Sequence, residues 1–168
     1  GVDVGGVDPA FVAAIPELAY DSWLTLGPTG GSELLTSAGI DFSSWTVTSG
    51  LAVTSGAVLY LDTDEGPQST SGSIVVAQLT LPTTTMPQVA TMNFQGHMQS
   101  RSSVVAASAM QPDWHSTGVS FSMASAVAAA PECPVVGMPA AVDGAVTPTV
   151  TQVAADGISC FTTYQLSI

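Results

Sequence analysis

The stretch Ser73-Ile74-Val75-Val76-Ala77-Gln78-Leu79-Thr80-Leu81 decides the fold. It is rich in β-branched residues, and Gly72 and Pro82 close its ends, which is the pattern of a strand. Its apolar residues fall on both faces, Ile74 and Val76 on one and Val75, Ala77, Leu79 and Leu81 on the other. A strand apolar on both faces is covered on both, so it belongs in the middle of a sheet.

The same two-residue period extends outward from it. Over residues 18–26, Leu18, Tyr20, Leu24 and Leu26 share a face before Gly27-Pro28-Thr29-Gly30-Gly31 breaks the run. Further strands are expected over residues 40–47, 51–53 and 57–61. Beyond the central stretch, residues 89–98 set Ala90, Met92 and Phe94 on one face, and residues 118–123 turn Val119, Phe121 and Met123 inward. The last strands are expected over residues 145–153 and 158–168. Short strands separated by Gly/Pro turns predict an all-β chain, an antiparallel β-sandwich of jelly-roll or immunoglobulin-like type. Short helical segments interrupt it. Pro9 suits a first helical turn capped by Asp8 and running to Ala14, and the Ala-rich residues 104–110 and 123–130 read similarly. Residues 1–16 thus form an arm or short helix, and residues 17–168 one sandwich domain.

Charge narrows the partners. Among 168 residues there is no lysine, Arg101 is the lone arginine, and 13 acidic residues give a formal net charge of -12. Nucleic-acid binding draws on Lys and Arg to release counterions, so that class is excluded. Anionic membranes and sulfated glycans are disfavoured for the same reason. Cations, neutral glycans and other protein surfaces suit the chain. Only 8% of residues are charged, against roughly 25% in ordinary domains, so the surface is largely Ser, Thr, Gly and Gln. The 46% hydrophobic content supplies a core and argues against disorder. No apolar run is long enough to span a membrane.

The chain opens on Gly1-Val2-Asp3-Val4, which reads as a processed end with a signal peptide already removed. Cys133 and Cys160, an even count, are expected to form one disulfide, buried free thiols being the alternative. Such a link would contribute on the order of 3 kcal/mol. The Thr/Pro clusters at residues 82–87 and 146–149 read as loops, and in a secreted glycoprotein they would suit O-glycosylation. These features together point outside the cell.

Candidate chemistry is sparse. Asp62, Asp64 and Glu65 share one turn and could converge on calcium, although the EF-hand order is not met and a solvated turn is the simpler reading. Trp23, with Asp21 on the same strand face, is the best candidate for an exposed ring that stacks on a neutral carbohydrate; Trp45 and Trp114 could join it, and core packing is the commoner fate of tryptophan. His115 stands between Asp113 and Ser116, but triads are assembled across a fold rather than from sequence neighbours, and no G-x-S-x-G is present. His97 reads as a strand residue. Residues 27–32 are glycine-rich without lysine, hence a turn and not a phosphate cradle.

The segments Tyr20-Asp21-Ser22-Trp23-Leu24-Thr25-Leu26-Gly27, Gly39-Ile40-Asp41-Phe42, Gly56-Ala57-Val58 and Val76-Ala77-Gln78-Leu79-Thr80-Leu81-Pro82 together resemble a group of uncharacterised secreted β-rich proteins of marine microbes and microalgae. The resemblance runs over residues 18–123. It implies export and a cell-surface role, and brings no activity or site residues.

The expectation from sequence is a non-enzymatic extracellular structural protein, a subunit that self-assembles or decorates a surface as filament, sheath or layer. It would need no cofactor beyond calcium, and its partners would be further copies or other extracellular proteins. A carbohydrate-binding module for neutral glycans is the second expectation and a hydrolase the third.

Overall fold

A computed structural model describes residues 3–31, 35–60, 72–85, 87–96, 114–124, 146–155 and 157–168. The described chain is mostly β-strand in several small, open, antiparallel sheets, with one short α-helix. Its strands are β1 (Trp23–Leu24), β2 (Leu35–Ala38), β3 (Ala57–Tyr60), β4 (Val75–Pro82), β5 (Gln88–Gly96), β6 (Trp114–Met123), β7 (Thr149–Ala155) and β8 (Phe161–Ser167). The helix, α1, covers Pro9–Ala14; Pro9 opens it, and Asp8 caps it by accepting from the Ala10 amide at 2.7 Å.

The stretch that decides the fold is central, as its two-faced pattern requires. β4 lies between β1 and β8 in a four-stranded sheet of order β1-β4-β8-β7. A bulge between Val75 and Ala77 lets the neighbours Val76 and Ala77 join the same core cluster, where strict alternation would send them to opposite faces. The other pairs are the hairpins β2–β3 and β5–β6. Beside β1, residues 3–7 lie along the sheet through isolated bridges, bending where Gly5 and Gly6 each take a φ of 84°. Val4 bridges Leu24 in parallel, the Leu24 amide donates to the Asp3 carbonyl at 2.9 Å, and the Gly5 amide donates to the Leu24 carbonyl at 2.8 Å.

The core forms where the four-stranded sheet meets the β5–β6 hairpin. Ala77, Leu79, Tyr164 and Leu166 from β4 and β8 pack on Val119, Phe121 and Met123 from β6. Ala90, Met92 and Phe94 of β5 flank them, on the face that alternation assigns. Burying a side chain of the size of Phe121, Met123 or Leu166 contributes about 1.5–3 kcal/mol. The β5–β6 register slips between Met92 and Phe94, where Gly118 takes a φ of 67° and its amide donates to the Asn93 Oδ1 at 2.9 Å. That bulge brings Ser116 to the same interior as Val119 and Phe121. The Tyr164 hydroxyl donates to the Ala124 carbonyl at 2.6 Å, and burial pushes its phenol up from the usual value near 10.

Three expected strands are corrected. Residues 18–26 do not run as one strand: Pro16–Tyr20 is a 3-10 turn, and only Trp23–Leu24 pairs with β4. Residues 40–47 hold a 3-10 turn at Phe42–Ser44, because Asp41 Oδ1 accepts from the Ser43 amide and caps it. Residues 51–53 are irregular, whereas Leu35–Ala38 is a strand that the pattern did not announce. The Ala-rich residues 104–110 lie outside the described chain, as do residues 125–130. Among the described residues, no helix is long and apolar enough to cross a membrane.

Candidate functional site

The four-stranded sheet has two unlike faces. Alternation puts Ala77, Leu79, Tyr164 and Leu166 on the core side, and therefore Trp23, Gln78, Thr80, Thr163 and Gln165 on the other. Across β4 and β8, Gln78 sits opposite Gln165 and Thr80 opposite Thr163, so this second face is a polar ladder. Residues 8–22 cover it. Gln78 Nε2 donates to the carbonyls of Ala19 at 2.9 Å and Asp21 at 2.8 Å. Thr80 Oγ1 donates to the Tyr20 carbonyl at 2.5 Å and lies 2.8 Å from the Thr163 hydroxyl, while Ser22 Oγ accepts from the Thr80 amide at 2.9 Å. The sheet's side chains thus hold the carbonyls of a 3-10 turn, which is why residues 18–22 depart from a strand.

Replacing Gln78 with methionine keeps the length of the side chain and removes both donations. Two part-buried carbonyls lose a partner, so the unfolding free energy is expected to fall by about 1–3 kcal/mol. Urea denaturation reads this as a lower midpoint at constant slope.

Between the covering segment and the sheet lies a cavity of about 180 Å³, with Val12, Leu18 and Ala19 on one side and Trp23, Gln78 and Gln165 on the other. Pockets for small ligands usually run to roughly 300–1,000 Å³. Among the described residues, those around this cavity supply hydrogen bonds and apolar surface, and none of them is titratable.

Trp23 corrects the expectation of an exposed aromatic platform. It is 3% exposed, and a buried indole cannot present its face to a sugar ring. Asp21 is half-buried; its Oδ1 accepts from the Ser22 amide at 3.0 Å, an internal cap rather than a ligand contact. Trp45 is half-buried and packs on the apolar core, 6.3 Å between centroids from Phe42. Trp23 and Trp45 therefore serve opposite faces of the sheet and make no common surface. Trp114 opens β6, in register with Gly96 of β5.

His115 is exposed whereas Ser116 is buried, because neighbours on a strand point to opposite faces. The two do not come together. Ser116 Oγ is without a hydrogen-bond partner among the described residues. His97, Arg101 and Asp113 lie outside the described residues.

So do Asp62, Asp64 and Glu65, the calcium candidates. Among the described residues, no group of three or more His, Cys, Asp or Glu could hold a metal ion. Cys133 also lies outside them. Cys160 is exposed and free among the described residues, in the turn before β8 with a φ of 68°.

The residues that organise this face, Gln78, Thr80, Thr163 and Gln165, were not singled out from sequence. Their signal was present as polar positions alternating with the core residues of β4 and β8. The chain matches no family model, no curated protein and no solved structure.

Proposed function

We propose that this chain is an extracellular structural protein, a β-sandwich subunit of jelly-roll or immunoglobulin-like type that joins its neighbours by adding strand to strand. The observation that carries the reading is the outer edge of β7. Among the described residues it is the last strand of its sheet, and Thr149–Ala155 carries neither charge nor proline. Val153 stands 54% exposed on it. Soluble proteins usually blunt such edges with lysine, proline, inward-pointing charge or a bulge, and of these β7 carries the bulge alone, between Gln152 and Ala154. This chain has no lysine at all.

The charge economy supports the same reading. A surface with few ions can be packed against a copy of itself without desolvating many of them. The net charge of -12 opposes association at low salt, so salt or divalent cations favour it by screening. Filaments, sheaths and cell-surface layers all match a subunit of this kind.

Analytical ultracentrifugation and electron microscopy of the purified chain test this, in low salt, in high salt, and in calcium with and without chelator. Assemblies that grow with ionic strength are expected. A monodisperse monomer in every condition would overturn the proposal.

A further inference from the structure

Resting on that assembly reading, we infer that residues 3–7 are an exchangeable strand, which leaves its own sheet to occupy the same place beside β1 of a second copy. The groove and its occupant are both defined. Asp3 and Gly5 hydrogen-bond to Leu24 of β1, and the Gly31 amide donates to the Gly5 carbonyl at 3.0 Å on the other side. Gly6 bridges Gly30, and Val7 is buried at 8% exposure. The fit is close, since a Cβ on Gly6 would lie 2.1 Å from the Thr29 carbonyl oxygen. An identical segment from another copy makes every one of these contacts.

What joins this strand to its own sheet is poorly held. α1 buries no residue, and Phe11 and Ile15 are 59% and 52% exposed. The cavity lies beneath it, between Val12 and the sheet. Among the described residues, the next hydrogen bonds to the sheet come at Ala19, Tyr20 and Asp21, where Gln78 and Thr80 hold the carbonyls. Residues 8–15 are therefore a hinge with one strongly held end on each side. Extended, eight residues span up to about 27 Å, enough to carry the strand onto an adjoining subunit. Exchange of an identical element is a low-cost route to association because no new contact has to be invented. It also needs no basic side chain at the joint, which suits a chain with one arginine.

Two single variants, Val4→Cys and Leu24→Cys, test the exchange, each in full-length chain with Cys133 and Cys160 replaced by serine. Mixed in assembling conditions and oxidised, they form a disulfide between positions 4 and 24 only when the strand of one chain lies beside β1 of another. That intermolecular disulfide is expected as the main covalent product, identified by mass spectrometry of the joined peptides. A chain carrying both substitutions serves as the geometric control, by closing the same disulfide within itself. If the control closes and the mixture gives no such product, exchange is overturned.

A second measurement leaves β1 unaltered. In full-length Gly6→Ala, whose own strand cannot dock, a peptide of residues 1–8 is expected to restore hydrogen-exchange protection at the Leu24 amide. A peptide that restores none counts against exchange. The two proposals separate cleanly. Assemblies that form without the intermolecular disulfide keep the structural reading and sink the exchange. Linked pairs that never grow past two subunits do the reverse.

Discussion

Replacing Phe121 with alanine is expected to lower the unfolding free energy by about 3–5 kcal/mol, among the largest costs of a single substitution. Phe121 is 0% exposed at the centre of the contact between the β5–β6 hairpin and the four-stranded sheet. Its ring also meets Phe94 edge-on, with centroids 6.4 Å apart and planes at 77°. Both layers are fixed by backbone ladders, so they cannot collapse to fill the space. An apolar void of that kind stays dry and its walls lose their dispersion contacts. At about 2–4 °C per kcal/mol for a chain of this size, the midpoint should drop by roughly 6–20 °C. Val89→Ala is the control. Val89 lies on the same hairpin at 63% exposure, and substitution there should stay within about 0.5 kcal/mol. Similar losses at the two positions would mean that the hairpin does not pack on the sheet as described.

The faces of that hairpin were legible in the sequence. Ala90, Met92 and Phe94 alternate with Thr91, Asn93 and Gln95, and the first three are half-buried while the others are exposed. Simple alternation suffices there because one side meets the core and the other water. It misleads over residues 18–26, where the same period belongs to a 3-10 turn followed by two paired residues. The deciding partners, Gln78 and Thr80, are more than fifty positions away in sequence, and a local pattern carries no trace of them. Asp41 shows the opposite failure. Its capping of Ser43 is purely local and could be read directly, but the apolar residues around it resembled a strand more strongly. The candidate site follows the same division. The polar ladder alternates visibly along β4 and β8, whereas the burial of Trp23 depends on what residues 8–22 lay over it. Exposure of a tryptophan is a tertiary property, and strand-face assignment alone could not supply it.

Gly6→Ala is expected to release residues 3–7 from β1 while leaving the rest of the sheet intact. Gly6 has a φ of 84°, in the left-handed region that disfavours a side chain, and the obstacle to its Cβ is backbone. Nothing at Thr29 can rotate aside, since its carbonyl carbon and Cα stand at 2.4 and 2.8 Å from the same position. The segment can escape the collision because α1 beyond it buries nothing. The loss therefore saturates at whatever docking contributes, instead of spreading into the core. Hydrogen exchange resolves this residue by residue. The Leu24 amide, bonded to Asp3, and the Gly31 amide, bonded to Gly5, should lose protection together. The Thr25 amide donates to the Val76 carbonyl at 2.9 Å, inside the sheet, and should keep its protection. A uniform loss at all three would mean that residues 3–7 are integral to the sheet and cannot be exchanged. Selective loss leaves β1 with a vacant edge on a folded subunit, a state competent to accept a strand and unable to donate one. Such a subunit added to wild-type chains should cap growing assemblies and shorten them in proportion to its share of the mixture.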